Sequence, residues 1–77
     1  MDIQADRELD CRGLNCPMPI LRTKKSLAEI RPGGVLKVIA TDPGTLKDFQ
    51  AFARQTGNEL LESSEAKGEY TFYLRKH

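Results

Sequence analysis

The chain has 77 residues, 12 basic and 11 acidic, a formal net charge of +1 and a hydrophobic fraction of 39%. That length sets one domain over residues 1–77, with a core just large enough to fold alone, and the near balance of charge excludes a protein built mainly to bind nucleic acid, which carries a basic excess. Two cysteines are too few for a disulfide scaffold, no signal-peptide core or membrane-length apolar run is present, and the expected setting is a reducing cytoplasm where a free thiol can react.

In chain order, residues 1–6 are polar and expected to fray. Residues 7–11 read as a short strand, with Leu9 and Cys11 on one face and Asp10 on the other. Gly13 permits a turn. A helix is predicted from Pro17 to about Ile30, with Ile20, Leu27 and Ile30 at helical spacing, Leu21 and Ala28 widening the apolar stripe, and Lys24 snorkelling from its edge. Arg31-Pro32-Gly33-Gly34 ends it. Val35–Ala40 is a second strand with Leu36, Val38 and Ala40 inward. Asp42 is expected to cap a second helix with Pro43 at its first position. Leu46, Phe49, Phe52 and Ala53 share one side of it, and Gly57 stops it. Residues 58–63 form a third strand, Ala66-Lys67-Gly68 a turn, and residues 69–75 a fourth strand in which Tyr70, Phe72 and Leu74 alternate with Thr71, Tyr73 and Arg75.

This order, βαβαββ, predicts an α/β two-layer sandwich. The first two strands are parallel through a right-handed crossover, the last two form a hairpin, and both helices cover one face of a mixed four-stranded sheet. The phenylalanines are then core. Both helices start at the carboxyl ends of parallel strands, the edge where sites form in open α/β sheets. The Cys16-Pro17 and Asp42-Pro43 loops are therefore expected to be neighbours on one rim.

Cys16 is the residue that carries chemistry. A residue before proline is pushed out of the helical region, and proline suits the first helical position, so Cys16 is expected at the N-cap. There the positive end of the helix favours the thiolate, which is the reactive form. With an ordinary pKa of about 8.5, only roughly 3% of a free cysteine is ionised at pH 7. Pro17 and Pro19 limit the effect by removing two N–H donors, leaving Met18 as the main one nearby. The thiolate is thus favoured without being over-stabilised, and nucleophilicity is kept. No histidine base is placed for hydrolase chemistry, since His77 sits at the terminus. The Cys11–Cys16 spacing is not a zinc pattern, so no metal or cofactor is called for. What remains is thiol exchange or carriage of sulfur as a persulfide.

The residues Leu9-Asp10-x-x-Gly13-Leu14-x-Cys16-Pro17-x-Pro19, followed by Lys24-Lys25, Asp42-Pro43 and Leu74-Arg75-Lys76, resemble the signature of the TusA family of small sulfur-carrier proteins. The resemblance covers nearly the whole chain. It implies a sulfurtransferase in which Cys16 accepts sulfane sulfur from a cysteine desulfurase or rhodanese and relays it to a DsrE-like acceptor protein. On the same resemblance Pro17 and Pro19 hold the loop, and Asp10, Gly13 and Asp42 shape the rim. Family members serve tRNA 2-thiouridine formation, sulfur oxidation or other sulfur supply. Residues 40–44 and 55–58 look closer to members of sulfur-oxidising pathways.

Cys11 departs from many relatives; it is either a small buried hydrophobe or a resolving thiol that attacks the Cys16 persulfide. Arg22, Lys24 and Lys25 form a cationic helix face, either simply solvated or a partner-binding surface. No membrane contact and no direct nucleic-acid contact are expected. Two alternatives stay open from the residues alone: a Cys11/Cys16 dithiol–disulfide switch, and a regulatory module that binds RNA or protein through the cationic face.

Overall fold

The computed structural model describes residues 4–15 and 17–77. The elements are β1 (Arg7–Cys11), α1 (Met18–Ala28), β2 (Val35–Ala40), α2 (Thr45–Thr56), β3 (Glu59–Ala66) and β4 (Glu69–Arg75). They form one sheet in the order β1-β2-β4-β3. β1 runs parallel to β2, with Cys11 opposite Ala40. β4 is antiparallel to both β2 and β3. α1 packs over β1 and β2, and α2 over β3 and β4, so the βαβαββ sandwich expected from the hydrophobic pattern is the one formed.

Alternation in the strands decides what is inside. Leu36, Val38 and Ala40 of β2, with Phe72 and Leu74 of β4 and Cys11 of β1, are fully buried and meet Leu27, Phe49 and Phe52 from the helices. The centre is the aromatic pair Phe49–Phe72, with ring centroids 4.5 Å apart, and Phe52 lies 6.5 Å from Phe49. Tilted contacts of this kind add to the burial itself.

Four local expectations need correction. First, α1 buries Pro19, Thr23, Ser26 and Leu27, while Leu21 is 52% exposed and Ala28 faces solvent. The buried stripe is rotated towards Thr23 and Ser26, two small polar residues. Polar identity hid them from a hydrophobicity reading. Second, the helix closes at Ala28, and Glu29 and Ile30 turn off it through N–H bonds to Ser26 and Leu27.

Third, β3 extends to Ala66, three residues beyond its expected end, with a register shift between Leu60 and Glu62. It is an edge strand exposed along most of its length, so Ser63, Ser64 and Glu65 needed no apolar pattern. The two-residue turn that follows has Lys67 and Gly68 at φ 54° and 79°, the mirror-image geometry that suits a right-twisted hairpin. Fourth, Asp6 is tied down rather than frayed: its N–H donates to the Val35 carbonyl, and its carboxylate accepts the Val35 N–H, both at 2.8 Å.

Candidate functional site

The carboxyl ends of β1 and β2 lie side by side, and the loops that leave them are joined. The Gly13 N–H donates to Thr41 Oγ1 at 2.9 Å, across 28 positions of sequence. This bond makes the loop before α1 and the loop before α2 one rim. The β3–β4 hairpin ends at the same edge, where Arg12 reaches Glu69 at 3.6 Å. That third contributor to the rim was not read from the sequence, because it depends on the strand order.

Cys16 lies outside the described residues; its neighbours Asn15 and Pro17 are exposed. The geometry around it corrects the expected cap. α1 begins at Met18, and Pro17, at φ −96° and ψ 15°, is the residue whose carbonyl accepts the first helical N–H, from Leu21 at 3.1 Å. Pro19 follows at the second helical position, where a missing N–H costs nothing. The N–H of Met18, expected as the main free donor, is taken by the Asn15 carbonyl at 2.8 Å. The preceding turn is equally committed. The N–H groups of Arg12, Gly13 and Leu14 go to Asp10 Oδ1, Thr41 Oγ1 and the Cys11 carbonyl. With these four N–H groups committed within the rim, few of those near the motif are left to meet a sulfur anion.

Asp10 and Arg12 form a paired unit on the rim. Arg12 donates through Nε and NH2 to both carboxylate oxygens of Asp10, at 3.0 and 3.1 Å. Hydrogen bonds from Arg12 hold the Asp10 carboxyl below its ordinary range. Asp10 therefore shapes the turn by fixing Arg12 and its backbone.

Asp42 does not cap α2. The cap is Gly44, whose carbonyl accepts the Asp48 N–H at 3.2 Å. Asp42 instead accepts the Gly44 N–H on Oδ1 and the Thr45 N–H on its carbonyl, each at 3.0 Å. The short carboxylate folds the backbone two residues on, so the loop turns before the helix starts.

Cys11 is at zero exposure inside the core and is a free thiol. Burial pushes its thiol upward, opposed by the charge of Arg22 and aided by that of Asp10. Two results follow. Under native conditions an alkylating reagent should leave Cys11 unmodified, and the residue should react only once the chain is unfolded; peptide mapping checks this. Stability should also fall as pH rises past the ordinary cysteine range, because the unfolded chain gives up this proton first. A Cys11→Ala variant should lack that part of the alkaline loss, and a native Cys11 that alkylates as fast as the unfolded one would overturn the assignment.

Charge is distributed unequally around the rim. Arg22, Lys24 and Lys25 are all exposed, beside Leu21 and the 39% exposed Met18. Among the described residues these three cations form no ion pair. The acidic strands differ: Glu59 pairs with Arg75, Glu65 accepts the Gly68 N–H, and Glu69 meets Arg12. These three carboxylates are thus engaged, whereas the cationic helix face is exposed. A cleft lined by Asp6, Arg7, Glu29, Ile30 and Gly33 lies at the opposite end of the sheet.

The fold and the rim define a class: a small α/β domain in which a hydrogen-bonded rim turn precedes an exposed basic helix, with a Cys-Pro-x-Pro motif in the sequence between them. The comparisons agree. The family model described as Sulfurtransferase TusA matches residues 7–76. The sulfur carrier protein TusA of Allochromatium vinosum is 62% identical over 71 residues, covering 92% of this chain and 93% of that one. Its counterpart in Pseudomonas entomophila is 47% identical over 75 residues, covering 97% and 94%. A crystal structure of a SirA-like protein from Desulfitobacterium hafniense superposes with a TM-score of 0.79 at 28% identity, covering 90% of this chain and 95% of that one.

The chain belongs to the TusA family. It is a sulfur carrier that deals with sulfur-donor and sulfur-acceptor proteins, and the redox-switch and RNA-module alternatives are not favoured. Among the described residues no helix is long and apolar enough to cross a membrane.

Proposed function

We propose that Cys16 is the residue that carries the sulfur, as a persulfide. The observation behind this reading is the state of the other cysteine. The chain has two, and Cys11 is sealed in the core with its thiol pushed up. A buried, protonated sulfur is a poor nucleophile. Cys11 therefore serves as core packing and not as a resolving thiol, and relay falls to Cys16.

The step is a thiol–persulfide exchange. The Cys16 thiolate attacks the terminal sulfur of a donor persulfide. The donor S–S bond breaks, the donor leaves as a thiolate, and Cys16 holds the sulfane sulfur. The reverse geometry delivers it to an acceptor thiol, so electrons balance without an external oxidant. In this sense the protein works as a sulfurtransferase, over a single domain of residues 1–77. The donors that fit are a cysteine desulfurase or a rhodanese, and the acceptor is a DsrE-like protein. The setting is the cytoplasm, and the sulfur serves tRNA thiolation or sulfur oxidation and trafficking. Pro17 and Pro19 set the helix entry, while Asp10, Gly13 and Asp42 hold the rim through the bonds described above.

The exposed cationic helix face supplies the docking charge. Rim charges act chiefly on the rate of encounter. The double variant Arg22→Glu, Lys25→Glu should slow persulfide loading from a cysteine desulfurase by about tenfold at low salt. Loading from inorganic polysulfide should be unchanged. Equal loading by the desulfurase would remove this face from donor recognition.

A further inference from the structure

We propose that Thr41 is a positioning residue for the loop that carries Cys16, an inference that rests on the sulfur-carrying role proposed for that cysteine. The argument starts from the register. Cys11 and Ala40 are partners in parallel strands, so the chain leaves the sheet twice at one place, once towards Gly13 and once towards Thr41. Of the three N–H groups in the Arg12–Leu14 turn, two are satisfied within the segment, by the Asp10 carboxylate and the Cys11 carbonyl. Those bonds run back to the end of β1, and Arg12 also reaches Glu69 of β4; none of them joins the turn to the loop before α2. The third, from Gly13 to Thr41 Oγ1, crosses to the neighbouring loop.

Packing at Gly13 does not replace that bond. Gly13 sits at φ +81°, and a Cβ built there would meet nothing within 4 Å. The glycine is present for its backbone conformation, and no close contact clamps the turn at that point. Thr41 suits the anchoring task. It directly follows β2, and its β-branched side chain has few χ1 choices, so the hydroxyl is held where the N–H arrives. Asp42, next in sequence, ties its own loop through Gly44. Thr41 joins the two loops and Asp42 stiffens the second, so the mouths of both helices act as one unit. Without the tether the Cys16 loop samples other directions, and its apparent reactivity falls with the fraction correctly placed.

The test compares Thr41→Val, which keeps the shape and removes the acceptor, with Thr41→Ser, which keeps the acceptor. The readout is the second-order rate of iodoacetamide alkylation of Cys16 at pH 7, with its pH profile and the thermal midpoint measured alongside. Thr41→Val should react about fivefold more slowly, the factor set by one ordinary hydrogen bond, while Thr41→Ser stays within about twofold of the parent. A valine variant that matches the parent rate, or a serine variant as slow as valine, overturns the proposal. Alkylation needs no sulfur donor. A parent protein that never takes up sulfur would therefore sink the carrier role of Cys16 and leave the Thr41 comparison intact.

Discussion

Replacing Cys16 with alanine should abolish the gain of one sulfur atom, about 32 Da, on incubation with a cysteine desulfurase and its substrate. Intact-mass spectrometry reads this directly. The circular dichroism spectrum and thermal midpoint should stay near those of the parent, which separates loss of chemistry from loss of fold. The companion variant Cys11→Ala should still gain the sulfur. It should instead lose stability, since it deletes a fully buried side chain from the end of β1. The two cysteines thus separate cleanly, one by chemistry and one by packing. If sulfur loading survived in Cys16→Ala and vanished in Cys11→Ala, the assignment of the relay would be reversed.

Phe49→Ala should be the most damaging single change to the fold. The ring is fully buried, 4.5 Å from Phe72 and 6.5 Å from Phe52, and it joins α2 to the central strand β4. Truncating a phenylalanine in such a place costs about 3–5 kcal/mol. Small domains have totals towards the lower end of about 5–15 kcal/mol, so the variant should be largely unfolded near 37 °C. Urea titration should show the midpoint collapse, whereas Phe49→Leu, which refills most of the volume, should lose no more than about 1.5 kcal/mol. A Phe49→Ala protein with an unchanged midpoint would mean that the core is centred elsewhere. Because the rim is built on the ends of β1 and β2, such unfolding should also erase the distinction between Cys11 and Cys16 towards alkylating reagents.

The residues that misled are instructive. Leu21 has a core-type side chain, yet it is exposed beside Arg22 and Lys25, while Thr23 and Ser26 face inward. Hydrophobic periodicity registers apolar side chains only, so small polar residues buried on a helix face escape it. Asp42-Pro43 has the composition of a helix start, but its carboxylate closes a turn to Gly44, and that glycine becomes the cap. Cys16-Pro17 has the same ambiguity, and the cap is Pro17. Such signals locate a helix mouth to within a residue or two, because several neighbouring bond patterns satisfy the same few N–H groups.

The sequence by itself determined the element order, the parallel first pair and final hairpin, the inward residues of β2 and β4, and the motif cysteine between Asn15 and Pro17. These follow from periodicity, breakers and motif spacing, which are local properties of the chain. Tertiary structure alone decided which cysteine is sealed, which charges are spent, and which side chain joins the loop before α1 to the loop before α2. Cys11 is buried because β1 lies beside β2 under α1; Glu69 meets Arg12 because the hairpin returns to the same edge; and Thr41 holds Gly13 because two distant strand ends emerge together. Each of these depends on contacts between segments far apart in the chain, and no local pattern encodes them.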